Sequence, residues 1–330
     1  MGKMVGPDLA AGAGRPRPGR RGLAAVAGLL LSLAACVGTT APVPVQQPAH
    51  PATPTPTAAP SAASQAASSY YARVQSVLLS RGLLRTDGGG PDTPFTDRML
   101  ADNFMTIALY DEYARGPGGP VQRQTPSLLR RWDQPVRVGL RFGASVPPAQ
   151  RATDTARISS YLARLARLTS HPIRLDDSNP NFWVYIVNED ERQALGPEIR
   201  AALPGLSPAE VAGIVDLPLS TYCLVYALSG NGTGPGVYSQ AFAVIRAEHP
   251  DLMRLSCVHE EIAQGLGLAN DSPRARPSIF NDDEEFALLT VQDEMMLRIL
   301  YNPALRPGMT ETEARPIVNA LATQMMAGPS

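Results

Sequence analysis

The stretch Leu255–Asp271, reading L-S-C-V-H-E-E-I-A-Q-G-L-G-L-A-N-D, constrains the fold of this chain more than any other. At about 100° per residue, a helix over 250–266 gathers Leu255, Val258, Ile262 and Leu266 into one apolar stripe, the pattern of an element with one face in a core. His259 lies beside that stripe and is expected at the edge of the core. Glu260 and Gln264 are four residues apart and share the opposite face, flanked by Glu261 and Cys257. The helix therefore presents carboxylates and an amide to one side and packs on the other.

Two frames can be tried for the metalloprotease pattern H-E-x-x-H-x-x-G-x-x-H. A start at His259 puts Ala263 where the second histidine belongs and turns His259 into the core. A start at Glu260 keeps the whole frame, as E260-E-x-x-Q264-x-x-G267-x-x-N270. In this second frame the helix resembles the zinc-binding helix of metzincin proteases. Downstream, Ser278-Ile279-Phe280 and then Leu289-Thr290-Val291-Gln292-Asp293 leading to Leu300-Tyr301 resemble the supporting turn and following helix of that family, with Phe280 in the place of the turn methionine. Thr290 and Asp293 have the spacing of a capping box. The resemblance implies an α/β (α+β) zincin-like fold, a mainly parallel sheet with helices on it and the 250–266 helix at the bottom of a cleft. By the same resemblance Glu261 is the catalytic base, Glu260, Gln264 and Asn270 are the metal ligands, and Gly267 ends the helix.

Zinc sites are built from imidazole, thiolate and carboxylate, and none of the four histidines falls on these ligand positions. One carboxylate and two amide oxygens suit calcium or manganese better than zinc. The cofactor is left open between none and a weakly held divalent cation. Residues 70–310 also resemble, through R-G-L-L-R-T-D at 81–87, I-A-L-Y-D-E-Y at 107–113, L-R-R-W-D-Q-P-V at 129–136 and the E-E-I-A-Q helix itself, an uncharacterised family of proteobacterial lipoproteins, domain of unknown function 2927. That family brings no activity with it.

The N-terminal fifth is of another kind. Arg15, Arg17, Arg20 and Arg21 precede an apolar run over 23–33, and Leu33-Ala34-Ala35-Cys36 closes it. This resembles a lipoprotein signal, with residues 1–35 removed and Cys36 lipidated, and the run is shorter than the roughly 20 residues of a membrane span. Valine at 37 favours the outer membrane, facing the periplasm. Residues 36–68 are Pro, Ala, Thr, Ser and Gln with almost no large apolar side chain, and are expected to form a disordered tether. Residues 69–330 form a single domain, with a helical extension over about 70–115 and a core over about 135–302. Without residues 1–35 the chain keeps 24 basic and 29 acidic residues, a net charge of −5, which argues against nucleic acid as a partner. Cys223 and Cys257 remain to pair in an oxidising compartment, the alternative being a thiolate ligand at Cys257.

Within the domain, periodicity predicts helices over 70–84, 96–113 and 153–168, helical turns over 191–212, and strands over 135–142, 173–175, 182–187, 221–228 and 237–246. Gly116–Pro126 is expected as a loop, and the glycine-rich Ser229–Gly236 as a long hairpin loop, because it leads into a strand and not into a helix N-terminus. Two functions remain open. One is a pseudoprotease, a membrane-tethered module that binds an extended peptide or envelope protein by strand addition. The other is a metal-dependent hydrolase in which Glu261 activates water.

Overall fold

In a computed structural model of the chain, residues 4–6, 59–116, 119–230 and 233–327 are described. The expected signal run, Cys36 and most of the tether lie outside these residues. The described residues all belong to one compact unit. No helix among the described residues is long and apolar enough to cross a membrane.

The core is a mixed sheet. Its strands are β1 (Met4–Gly6), β4 (Arg131–Trp132), β5 (Val136–Phe142), β6 (Ile173–Leu175), β7 (Phe182–Val187), β8 (Cys223–Ser229) and β9 (Val237–Arg246), in the order β1-β8-β9-β7-β5-β6, with β4 also on β9. All pairings are parallel except β8 with β9. The mixed, mostly parallel α/β sheet expected from the sequence is therefore present. The glycine-rich segment does join antiparallel β8 and β9.

Successive strand residues face opposite sides, and two cores result. On one face Val138, Val184, Val225, Ala243 and Ile245 meet Ile158, Leu162 and Leu165 of α3 (Pro148–Thr169) and Val258, Ile262 and Leu266, from α7 (Asp251–Gly265) and its C-cap. On the other, Tyr185, Leu224, Tyr226, Phe242 and Val244 meet Ile199 of α5 (Gly196–Ala202) and Val211 and Ile214 of α6 (Pro208–Val215). A short α4 (Glu189–Gln193) precedes them, opened by a capping box at Asn188. Fully burying one such aliphatic side chain stabilises by about 1.5–3 kcal/mol, so each of these two-sided strands depends on both helix layers.

Four expectations are corrected. Helix α1 (Ala62–Ser80) starts inside the segment expected as tether, with Ser61 as its N-cap and Ala67 and Tyr71 buried. Helix α2 (Asp97–Ala108) stops short of Tyr113, and Tyr110–Gly116 (β2) pairs antiparallel with Gly119–Pro126 (β3) where a loop was expected. The reason for the early stop is tertiary. The orphan carbonyls of a last helical turn need donors, and Asn270 supplies two: its backbone N–H donates to Ile107 O at 3.0 Å and its amide to Thr106 O at 2.9 Å. Helix α3 starts at Pro148, five residues before the expected Thr153, since proline fits the first helical position without loss. Helices α8 (Val291–Leu300) and α9 (Glu311–Met326) complete the fold.

Candidate functional site

Helix α7 leaves the end of β9 and is held on three sides. Buried Arg254 forms an ion pair with Asp154 of α3, Nε to Oδ2 at 2.8 Å. Cys257 forms the expected disulfide with Cys223 at the start of β8. At its C-terminal end, Trp132 Nε1 donates to Gly265 O at 2.8 Å and the Tyr301 hydroxyl to Leu266 O at 3.0 Å. Gly267 follows with φ +126°, and a Cβ there would lie 2.2 Å from Arg130 O. Only glycine accepts that dihedral and that approach together.

Glu260, Glu261 and Gln264 of α7 are closed off from solvent, at 1%, 0% and 0% exposed. The face expected to line a cleft is sealed in this structure. Gln264 Nε2 donates to Asp271 Oδ1 at 3.0 Å, while Gln264 Oε1 has no hydrogen-bond partner among the described residues. Asn270, the third position of the ligand frame, is used otherwise, with its amide nitrogen on Thr106 O of α2. Asp271 is the residue that meets Gln264. The acidic run 282–285 has ties of its own. Its Glu285 pairs with Arg276 at 2.6 Å and Arg85 at 3.2 Å.

His259 lies where the helical projection puts it, at the core edge and 7% exposed. Its ring stacks on Tyr161 at 4.0 Å between centroids, the Tyr161 hydroxyl donates to His259 O at 2.7 Å, and Leu289 N–H donates to Nδ1 at 3.4 Å. Burial first, then the nearby Arg164 charge, push its pKa down to about 3, so it is a neutral packing group at physiological pH.

The turn beneath is built by hydrogen bonds. Asp293, at N3 of α8, completes the expected capping box with Thr290. It also accepts from Ser278 Oγ at 2.6 Å and Ile279 N at 3.0 Å. Burial raises its carboxyl to about 6, against the hydrogen bonds from Ser278 and the backbone, which pull it down. Phe280 is fully buried, and its carbonyl accepts from Ser272 N at 2.9 Å. The turn is thus joined to the segment that carries Asn270 and Asp271.

These donors do not fit zinc. There is no imidazole or thiolate among Glu260, Gln264 and Asn270, the Asn270 amide is engaged with α2, and no group of three or more His, Cys, Asp or Glu among the described residues could hold a metal ion. Sequence reasoning expected Glu260, Glu261 and Gln264 on one helix, and α7 carries all three. It missed the cap made by Asn270, for which no local signal exists.

Residues 97–320, more than half of the chain, match the model of a family described as Protein of unknown function (DUF2927). No curated protein and no solved structure matches the chain.

Proposed function

The chain belongs to the DUF2927 family, and we propose that it acts there as a non-catalytic, peptide-binding module of zincin-like descent, tethered to the outer membrane of the cell envelope through lipidated Cys36. The observation that carries this reading is the edge of the sheet. β8 has β9 on its inner side. On its outer side the one strand among the described residues is Met4–Gly6, paired with Leu224–Tyr226. That edge accepts an extended segment of chain, and the segment it holds belongs to the part expected to be removed on export. A mature chain would then carry an open edge strand, the template used in strand addition. The Cys223–Cys257 bond ties this edge to α7, which keeps it preformed.

The zincin-like part of the reading is supported by the antiparallel strand β8 beside a parallel sheet, by the helix α7 that follows β9 with Gly267 just past its end, and by the Ser278–Phe280 turn joined to α8. The non-catalytic part is supported by the sealed Glu260, Glu261 and Gln264 and by the engagement of Asn270 elsewhere. Peptides of about ten residues, displayed as an array, test the proposal against the chain lacking residues 1–35. Binding that is abolished by alternate backbone N-methylation and kept in Glu261→Gln is the expected result. Loss of all binding in Glu261→Gln, or cleavage of a mixed peptide library that depends on Glu261 and added metal, would turn the assignment to a hydrolase.

A further inference from the structure

The parallel strands β5, β7 and β9 end side by side, and a cavity of about 430 Å³ lies beyond their carboxyl ends. Its floor is Ser145 in the loop after β5, Gln150 in the first turn of α3, Asn188 after β7 and Glu248 after β9; α1 covers it with Ser64 and Ser68. The volume is that of a small-molecule site, about 300–1,000 Å³. Its position is equally telling. β5 connects through α3 to β6 over one face of the sheet, whereas β7 connects through α4, α5 and α6 to β8 over the other. The crevice between two neighbouring strands whose connections part in this way is where open α/β sheets bind ligands.

The polar groups here are unmatched in complementary senses. Glu248 Oε1 accepts from Ser64 Oγ at 2.8 Å and from Glu189 N at 2.7 Å. Glu248 Oε2 is buried with no donor among the described residues, and Gln150 Nε2 is buried with no acceptor. The Pro147 N-cap of α3 makes no side-chain hydrogen bond to that helix, so first-turn N–H groups there also lack an acceptor from the cap. A group able to donate to a carboxylate and accept from an amide answers both needs, and a hydroxyl does so with one atom. Among the described residues no Arg, Lys or His lines the cavity, and the Glu248 carboxylate disfavours a phosphate or carboxylate ligand on charge.

We propose that this cavity is a binding site for a small polyhydroxylated ligand of the saccharide class, uncharged or carrying an amine, held between Glu248 Oε2 and Gln150 Nε2. The site lies away from the Glu260–Gln264 face and does not depend on peptide binding at β8.

Saturation-transfer NMR and calorimetry on the full chain, with glucose, N-acetylglucosamine, glucosamine and glycerol as probes and inorganic phosphate as the anion, test it. At least one hydroxylated probe should bind and phosphate should not. Gln150→Leu removes a side chain with no hydrogen bond among the described residues, and Glu248→Gln keeps the Oε1 acceptor while losing Oε2. Each should weaken binding about tenfold or more while the thermal midpoint changes little. Failure of all four probes, preferential binding of phosphate, or unchanged affinity in both variants overturns the proposal.

Discussion

At the scale of single residues, two side chains of the motif region, Asn270 and His259, carry ordinary structural duties. Asn270 closes α2, and Asn270→Ala should cost about 1–3 kcal/mol by leaving Thr106 O without its donor. Urea denaturation reads this directly, and a variant as stable as the parent would show that the cap is dispensable. His259 titrates well below its unfolded value of 6.5. Its contribution to stability is therefore complete above pH 6.5 and is lost as pH falls toward 3, because only the unfolded chain takes up the proton. His259→Phe keeps the stacked ring position on Tyr161 and should flatten the acid limb of a stability–pH curve. Neither role is visible locally: Asn270 and Thr106 are 164 residues apart, and a helical projection locates a histidine without saying what lies above it.

Elements show a different balance. Helix α7 was legible in nearly full detail, since 3.6-residue periodicity encodes which face is buried and glycine at 267 encodes where the helix ends. The capping box of α8 was legible for the same reason, its donors and acceptors being three residues apart. The further use of Asp293 was not, because its ties to Ser278 and Ile279 cross to another segment. Its carboxyl, at about 6 in the fold and 3.8 outside it, holds its proton longer when folded. That contribution is complete below pH 3.8 and is lost as pH rises through 6, so Asp293→Asn should remove a decline in denaturation midpoint between pH 4 and 6. The Cys223–Cys257 bond joins two elements rather than two neighbours. Its reduction should lower stability by about 3 kcal/mol, measured as a fall in thermal midpoint with dithiothreitol, and should weaken peptide binding at β8 in parallel.

For the whole molecule, the proposed function rests on sheet order more than on any motif. Removal of residues 1–35 should leave the circular dichroism spectrum of the domain intact, since both cores are formed by residues after 66, and should increase peptide binding by freeing β8. Mass spectrometry of the membrane-extracted chain should find a diacylglyceryl group on Cys36, and an unmodified cysteine would remove the anchor from the proposal. The sequence by itself determined the strands and helices whose apolar residues recur with a fixed period, the disulfide left by counting cysteines, and the face of α7 that carries Glu260, Glu261 and Gln264. All of these follow from interactions between residues a few positions apart or from composition. Tertiary structure alone decided that this face is closed, that Asn270 ends a distant helix, that 110–126 pairs as a hairpin, and that the ends of β5, β7 and β9 enclose a polar cavity. Those features depend on which strands become neighbours, and that is settled by burying two faces of one sheet at once, a condition that no single segment of chain can express.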